Sequence, residues 1–228
     1  MMEFLFLDLD DTILDFHKAE RIALSKTLES FDVAPDDEVL ARYHVINLQH
    51  WERLETGELT RDQVQEGRFR VLFQELGRTV DPVQVTRTYE RNLGIGHYFL
   101  PGAEEAVQSF HKKYRLFLAS NGTASVQHSR LTSAGLYPYF EKVFVSQNIG
   151  YNKPSRDYFE ACFRQIPDFC PERAIMVGDS LTSDILGGIN AGIRTCWVNP
   201  AHAPARVNIQ PDYEIENLSQ LEEVLKTL

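Results

Sequence analysis

Phe4-Leu5-Phe6-Leu7-Asp8-Leu9-Asp10-Asp11-Thr12 is a short apolar run that stops at a cluster of acids. An apolar stretch of this length suits a strand buried on both faces, and Phe4 to Leu9 is read as one. Four further runs have the same form: Leu116 to Ala119, Val143 to Val145, Ala174 to Val177 and Thr195 to Val198. Helical patterns separate the later runs. Ala103 to Tyr114 follows Pro101-Gly102, Ala124 to Ala134 is closed by Gly135, Ser155 to Ile166 is stopped by Pro167, and Asp184 to Ala191 is closed by Gly192. Alternating strand and helix with short connections predicts an α/β fold with a doubly wound parallel sheet.

The alternation breaks once, because residues 10–115 lie between the first two strands, far more than one crossover helix needs. That stretch reads as helices. Ala19, Ile22, Ala23, Thr27 and Leu28 form one apolar stripe, and Val39, Leu40, Tyr43, Ile46 and Trp51 form another. Thr60 with Gln63 has the spacing of a capping box ahead of Val64, Leu72 and Leu76. Asp81-Pro82 reads as a helix cap and first helical position ahead of Val85, Tyr89 and Leu93. The expected organisation is a core of residues 1–15 and 99–228 with an inserted helical cap, residues 16–98, able to move as a lid.

Composition narrows the class of function. A chain of 228 residues buries roughly 70 per cent of its unfolded surface, so it needs no disulfide or metal staple to fold. A formal net charge of -10 argues against gripping a nucleic-acid polymer along a basic face. Three cysteines without CxxC spacing build neither a disulfide framework nor a zinc ribbon, which points to the cytoplasm. No apolar run is long enough to cross a bilayer, so no membrane partner is expected.

The chemistry-bearing residues follow the strands. In an extended chain, residues i and i+2 share a side, so Asp8 and Asp10 are expected together at the C-terminal edge of the sheet, where α/β proteins bind ligands. Two close carboxylates repel each other, and a hard divalent cation such as Mg²⁺ relieves that repulsion while keeping room for a phosphate oxygen. Asp179, in Gly178-Asp179-Ser180-Leu181-Thr182-Ser183-Asp184, ends another strand by the same logic. Asp184 starts the next helix and, taken alone, reads as its N-cap. Ser120-Asn121-Gly122 offers a hydroxyl and backbone N–H groups at a strand-to-helix turn, an anion seat or a plain turn. Lys153 is either a solvated lysine or a fixed positive charge for a phosphate.

Their order decides between these readings. The four motifs resemble those of the haloacid dehalogenase (HAD) superfamily: DLDDT at Asp8 to Thr12, SNG at Ser120 to Gly122, KP at Lys153 to Pro154, and GDSLTSD at Gly178 to Asp184. The insertion resembles that superfamily's C1 cap on a Rossmann-like core. Glu66-Gly67-Arg68-Phe69, Ser183 to Gly188 and Ala191 to Pro200 are similar to the bacterial 5'-nucleotidases acting on pyrimidine and non-canonical nucleoside monophosphates.

What the resemblance implies is a Mg²⁺-dependent phosphomonoesterase. Asp8 would be the nucleophile, forming an aspartyl-phosphate, and Asp10 the general acid and then base. Asp8, Asp10 through its main-chain carbonyl, Asp179 and Asp184 would hold or surround the cation. Ser120, Asn121, Gly122 and Lys153 would bind the phosphoryl oxygens, with Lys153 also catalytic. The substrate would be a small phosphorylated metabolite, foremost a nucleoside monophosphate. The runner-up is a sugar-phosphate or phosphoglycolate-like phosphatase or a phosphomutase of the same scaffold, and the last option a phosphometabolite-binding module without turnover. In the cap, His17, Trp51 and Arg68 are the candidate substrate contacts, although Trp51 also sits at core spacing. The protein is expected as a monomer or homodimer.

Overall fold

A computed structural model describes residues 2–228. Six strands form one wholly parallel sheet: β1 (Phe4–Leu7), β2 (Arg115–Ser120), β3 (Lys142–Val145), β4 (Ala174–Gly178), β5 (Arg194–Val198) and β6 (Tyr213–Ile215), in the spatial order β3-β2-β1-β4-β5-β6. From β1 the chain goes to β2 and β3 on one side, then back across to β4 and outward. The strand order therefore reverses beside β1, and the crevice that such a reversal leaves lies at the C-terminal strand ends.

Ten helices are described: α1 (Phe16–Glu29), α2 (Asp37–Glu55), α3 (Arg61–Glu75), α4 (Pro82–Leu93), α5 (Ala103–Phe110), α6 (Ala124–Ser133), α7 (Ser146–Ile149), α8 (Arg156–Phe163), α9 (Leu186–Ala191) and α10 (Leu221–Lys226). The chain divides into two compact units. One comprises the chain up to Phe16 with His97–Leu228, and the other is His17–Gly96.

In the sheet unit, the period of two along each strand sorts side chains onto two cores. Leu5, Leu7, Leu116, Leu118, Ile175 and Val177 pack with Val107 and Phe110 of α5 and Leu221 and Leu225 of α10. Phe4, Phe6, Phe117, Phe144 and Met176 face the other way, onto Tyr158, Phe159 and Cys162 of α8. Three rings cross this second face in a ladder, with Phe6 5.2 Å from Phe117 and Phe117 6.1 Å from Phe144. Burial on both faces is why these strands read as continuous apolar runs.

The helical unit is built from α2, α3, α4 and most of α1. Thr60 and Gln63 form the reciprocal capping box at the start of α3, and Asp81 caps α4 with Pro82 next to it. Tyr43, Phe69 and Tyr89 meet at its centre with ring separations of 5.3 to 5.8 Å.

Three sequence expectations need correction, and one strand was not foreseen. The first strand ends at Leu7 rather than Leu9, because Ile13 and Leu14 both donate to the Leu9 carbonyl and Asp11 takes φ 53°, turning the chain. Asp184 is not a helix cap: Ser180 caps a π-turn over Leu181–Ile185 that precedes α9. Trp51 stays half-buried under the Arg61 guanidinium rather than joining the core. Strand β6, only three residues long, carries too few residues to show a period. Among the described residues, no helix is long and apolar enough to cross a membrane, and all three cysteines are free.

Packing of α9 onto the sheet depends on a close approach at Gly188, where an added Cβ would lie 2.6 Å from Thr195 Cγ2 and 3.2 Å from Met176 Cβ. Gly188→Ala is expected to lower stability by about 1–3 kcal/mol, read as a lower urea midpoint at unchanged slope.

Candidate active site

Strand ends position the site. Asp8 follows β1 directly, its backbone N–H still donating to the Val177 carbonyl of β4 at 2.9 Å. Ser120 is the last residue of β2, and Asp179 follows Gly178 at the end of β4. The β1 and β4 ends are neighbours in the sheet, so these acids converge without any long-range search by the side chains.

Lys153 reaches into this edge from the loop before α8 and is almost wholly buried, at 1% exposure. Its ammonium donates to Asp8 Oδ1 at 2.7 Å, to the Ala119 carbonyl at 2.7 Å and to Asp184 Oδ1 at 2.5 Å. An ammonium has three donors, and all three are used. Asn121 holds the lysine's main chain: its amide donates to the Lys153 carbonyl and its carbonyl accepts from the Lys153 N–H, both at 2.9 Å. The Asn121 side chain thus fixes the lysine, a use that sequence reasoning did not assign it.

Asp184 lies close because Gly178 has no side chain; a Cβ there would sit 2.1 Å from Asp184 Oδ2. That same oxygen accepts from the Ser180 N–H at 3.1 Å. Trp197, opposite Gly178 on β5, donates its indole N–H to the Asp179 carbonyl at 2.6 Å. Ligand oxygens of Asp8, Asp179 and Asp184 all lie within 4.8 Å of one another.

Asp10 is held from α6. Arg130, fully buried, forms an ion pair with Asp10 Oδ1, and Gln127 Nε2 donates to Asp10 Oδ2 at 2.7 Å and to Ser120 Oγ at 2.8 Å. Gly122 makes room for Gln127, since a Cβ at that glycine would lie 2.3 Å from its amide nitrogen. Gln127 and Arg130 went unnoticed in the sequence. The available signal was an i, i+3 polar pair on a helix face that also carries Val126 and Leu131, but nothing in the spacing says which acid the pair meets.

The electrostatics are those of a crowded acid cluster. Asp8, Asp10, Asp179 and Asp184 against Lys153 and Arg130 leave two formal negative charges. Burial pushes the Asp8 carboxyl up to about 7; Lys153 pulls it down, while Asp184 and Asp10 push it further up. Asp179 is driven well above the ordinary carboxylate range, first by burial and then by repulsion from Asp184, Asp8 and Asp11. Burial opposes the Lys153 charge, but Asp184 and Asp8 more than offset it and raise its pKa. Three carboxylates converge here, and the ionisation of Asp8 and Asp179 is opposed first by burial and then by neighbouring acids, an arrangement that suits a hard divalent cation, so the residues fit Mg²⁺.

The remaining sequence candidates lie in the helical unit. Arg68 is buried, its guanidinium 4.9 Å from the Tyr89 ring and 5.2 Å from Phe69, with Nη1 donating to Asn47 Oδ1 at 2.8 Å. Its place among these rings explains its burial without a substrate. Trp51 carries Arg61 over its ring at 5.7 Å. His17 is exposed, 5.1 Å from the His44 ring.

A parallel sheet with acids at the ends of β1 and β4 and a buried lysine between them defines a class of hydrolases. The model of the haloacid dehalogenase-like hydrolases matches residues 2–192, and the chain belongs to that family. It is 37% identical over 221 residues to the pyrimidine 5'-nucleotidase PynA of Streptococcus pneumoniae, covering 96% of this chain and 93% of the relative. The pyrimidine 5'-nucleotidase YjjG of Escherichia coli is 30% identical over 223 residues, with 98% and 97% covered. The crystal structure of the HAD-hydrolase YfnB from Bacillus subtilis bound to magnesium superposes with a TM-score of 0.94 at 38% identity, covering 98% of each chain.

Two pH effects follow from the raised carboxyls. Below about pH 7 the Asp8 proton competes with a cation, so Mg²⁺ affinity should rise with pH by up to about tenfold per unit until that group is ionised. A carboxyl raised in the fold destabilises the metal-free chain as pH climbs through and above the ordinary carboxylate range. Asp179→Asn should therefore raise the metal-free melting temperature at pH 8, by roughly 2–4 °C per kcal/mol of repulsion relieved, and abolish the rise that Mg²⁺ gives the parent. Calorimetry with and without Mg²⁺ at pH 6 and 8 reads both; a less stable variant that Mg²⁺ still stabilises would place the cation elsewhere.

Proposed function

We propose that the protein is a Mg²⁺-dependent phosphomonoester hydrolase that works through an aspartyl-phosphate on Asp8, with nucleoside 5'-monophosphates as its substrates. The observation that carries the reading is the Lys153 ammonium lying on Asp8 and Asp184 at once, beside a second acid, Asp10, held by its own partners. Phosphoryl transfer needs a nucleophile in line, positive charge on the phosphoryl oxygens and a proton for the leaving oxygen.

Asp8 supplies the nucleophile: one carboxylate oxygen attacks phosphorus while the ester oxygen departs. Asp10 gives that oxygen a proton and afterwards takes one from the water that hydrolyses the acyl phosphate. Gln127 and Arg130 act through Asp10, fixing the direction of its two oxygens. Lys153 holds Asp8 and neutralises charge on the transferring group, and Ser120 with the backbone N–H groups of Asn121 and Gly122 binds its remaining oxygens. Bound Mg²⁺ would supply charge neutralisation, with Asp8, the Asp10 carbonyl and Asp179 as its holders and Asp184 beside them.

Asp10 separates this reading from dehalogenation, which expels halide and has no alkoxide to protonate. Two relatives named pyrimidine 5'-nucleotidases support the nucleotide substrate. Substrate choice is assigned to the helical unit, residues 17–96, since the sheet unit offers groups suited mainly to phosphate.

A panel of phosphomonoesters with Mg²⁺ tests the substrate: pyrimidine nucleoside monophosphates should be hydrolysed faster than sugar phosphates, and equal rates would discard the nucleotidase reading. Asp8→Asn should abolish phosphate release, and Asp10→Asn should lower kcat by roughly 10²–10⁴-fold. Arg130→Met should reduce kcat with little change in KM, as expected of a group that orients an acid–base rather than one that binds substrate.

A further inference from the structure

The helical unit brings together three metal-ligating side chains that the reading above does not use. His17 and Glu20 are three residues apart on α1 and so share a face, and His44 of α2 meets them. One ligand atom from each lies within 4.8 Å of the others. His44 Nδ1 is 3.1 Å from Glu20 Oε2. Donor atoms about 2.0–2.2 Å from one tetrahedral ion stand about 3.4 Å apart, so this pair is already at ligand spacing.

The carboxylate is prepared for the task. Glu20 is only 5% exposed although it is acidic and lies on a surface helix. Its other oxygen, Oε1, accepts from Asn47 Nδ2 at 2.7 Å, and Asn47 Oδ1 in turn accepts from the buried Arg68 at 2.8 Å. The series Arg68, Asn47, Glu20 leaves Oε2 on the histidine side and holds it there. Metal ligands are commonly fixed by such outer hydrogen bonds. The histidines lie at the rim, His17 exposed and His44 half-buried, which gives an ion a way in and a fourth position for water.

We propose that His17, Glu20 and His44 form a site for a borderline divalent ion, Zn²⁺ or its surrogate Co²⁺, which ties α1 to α2. Two imidazoles and one carboxylate favour such ions over Mg²⁺, whereas Asp8, Asp179 and Asp184 offer oxygen alone. The two sites therefore sort metals by donor chemistry, and this one stands independently of the phosphatase reading.

The test uses Co²⁺ on the full-length protein kept in excess Mg²⁺, so that the carboxylate site is occupied. Co²⁺ should bind at one equivalent per chain by calorimetry and give the strong visible absorption of a low-coordinate ion. His44→Ala and His17→Ala, both at solvent-accessible positions, should each remove that absorption, and Asn47→Ala should weaken binding by roughly 10- to 100-fold. Circular dichroism confirms that each variant is folded. Absorption unchanged in both histidine variants, or a Co²⁺ signal that Mg²⁺ competes away, would overturn the proposal.

Discussion

A buried ammonium surrounded by carboxylates is the interaction on which the sheet edge depends. Lys153 gives up its hydration almost entirely, and removing either acid partner would leave an ion pair half-made in a dry place, a costly arrangement. The three acceptors come from three separate segments: Asp8 after β1, Ala119 in β2 and Asp184 in the π-turn after β4. One side chain thus sets the relative placement of the strand ends. The Asn121 amide, bonded twice to the lysine's main chain, keeps Lys153 from leaving that position.

The same crowding makes the site hostile to itself. Burial and mutual repulsion raise the carboxyls of Asp8 and Asp179, and the two local cations offset only part of the charge. Crowding of this kind costs stability, a cost often met at functional sites. The close approaches at Gly178 and Gly122 belong to the same design, since each leaves room for a polar side chain where a methyl group would collide with it. The helical unit handles polar groups differently. Its buried Arg68 and Glu20 are linked through Asn47, and the Arg68 guanidinium lies over the Tyr89 ring, so each buried charge has a polar partner.

The architecture was legible because apolar runs, caps and closing glycines are local signals. Five of the six strands and the capped starts of α3 and α4 lie where those signals put them, and the strand reading of Phe4 to Leu9 erred by only two residues. Strand β6 was missed because its three residues carry no period and its place follows from pairing with β5. The role of Asp184 was open for a related reason. A helix-starting acid looks like a cap in one dimension, and only the π-turn with Gly178 beside it turns the carboxylate toward Lys153. Gln127 and Arg130 were beyond reach, since an i, i+3 pair defines a helix face without saying what that face meets.

The sequence by itself determined that there would be a parallel sheet with acids, a hydroxyl-glycine turn and a lysine following successive strands, because strand period and chain order place those residues at one edge. Only the tertiary structure decided which groups touch: that Lys153 serves Asp8 and Asp184 together, that Asp10 is held from α6, and that His17, Glu20 and His44 meet across two helices. Backbone propensity acts over a few residues, whereas contacts between side chains far apart in the chain exist only once packing has fixed the distances between the elements that carry them.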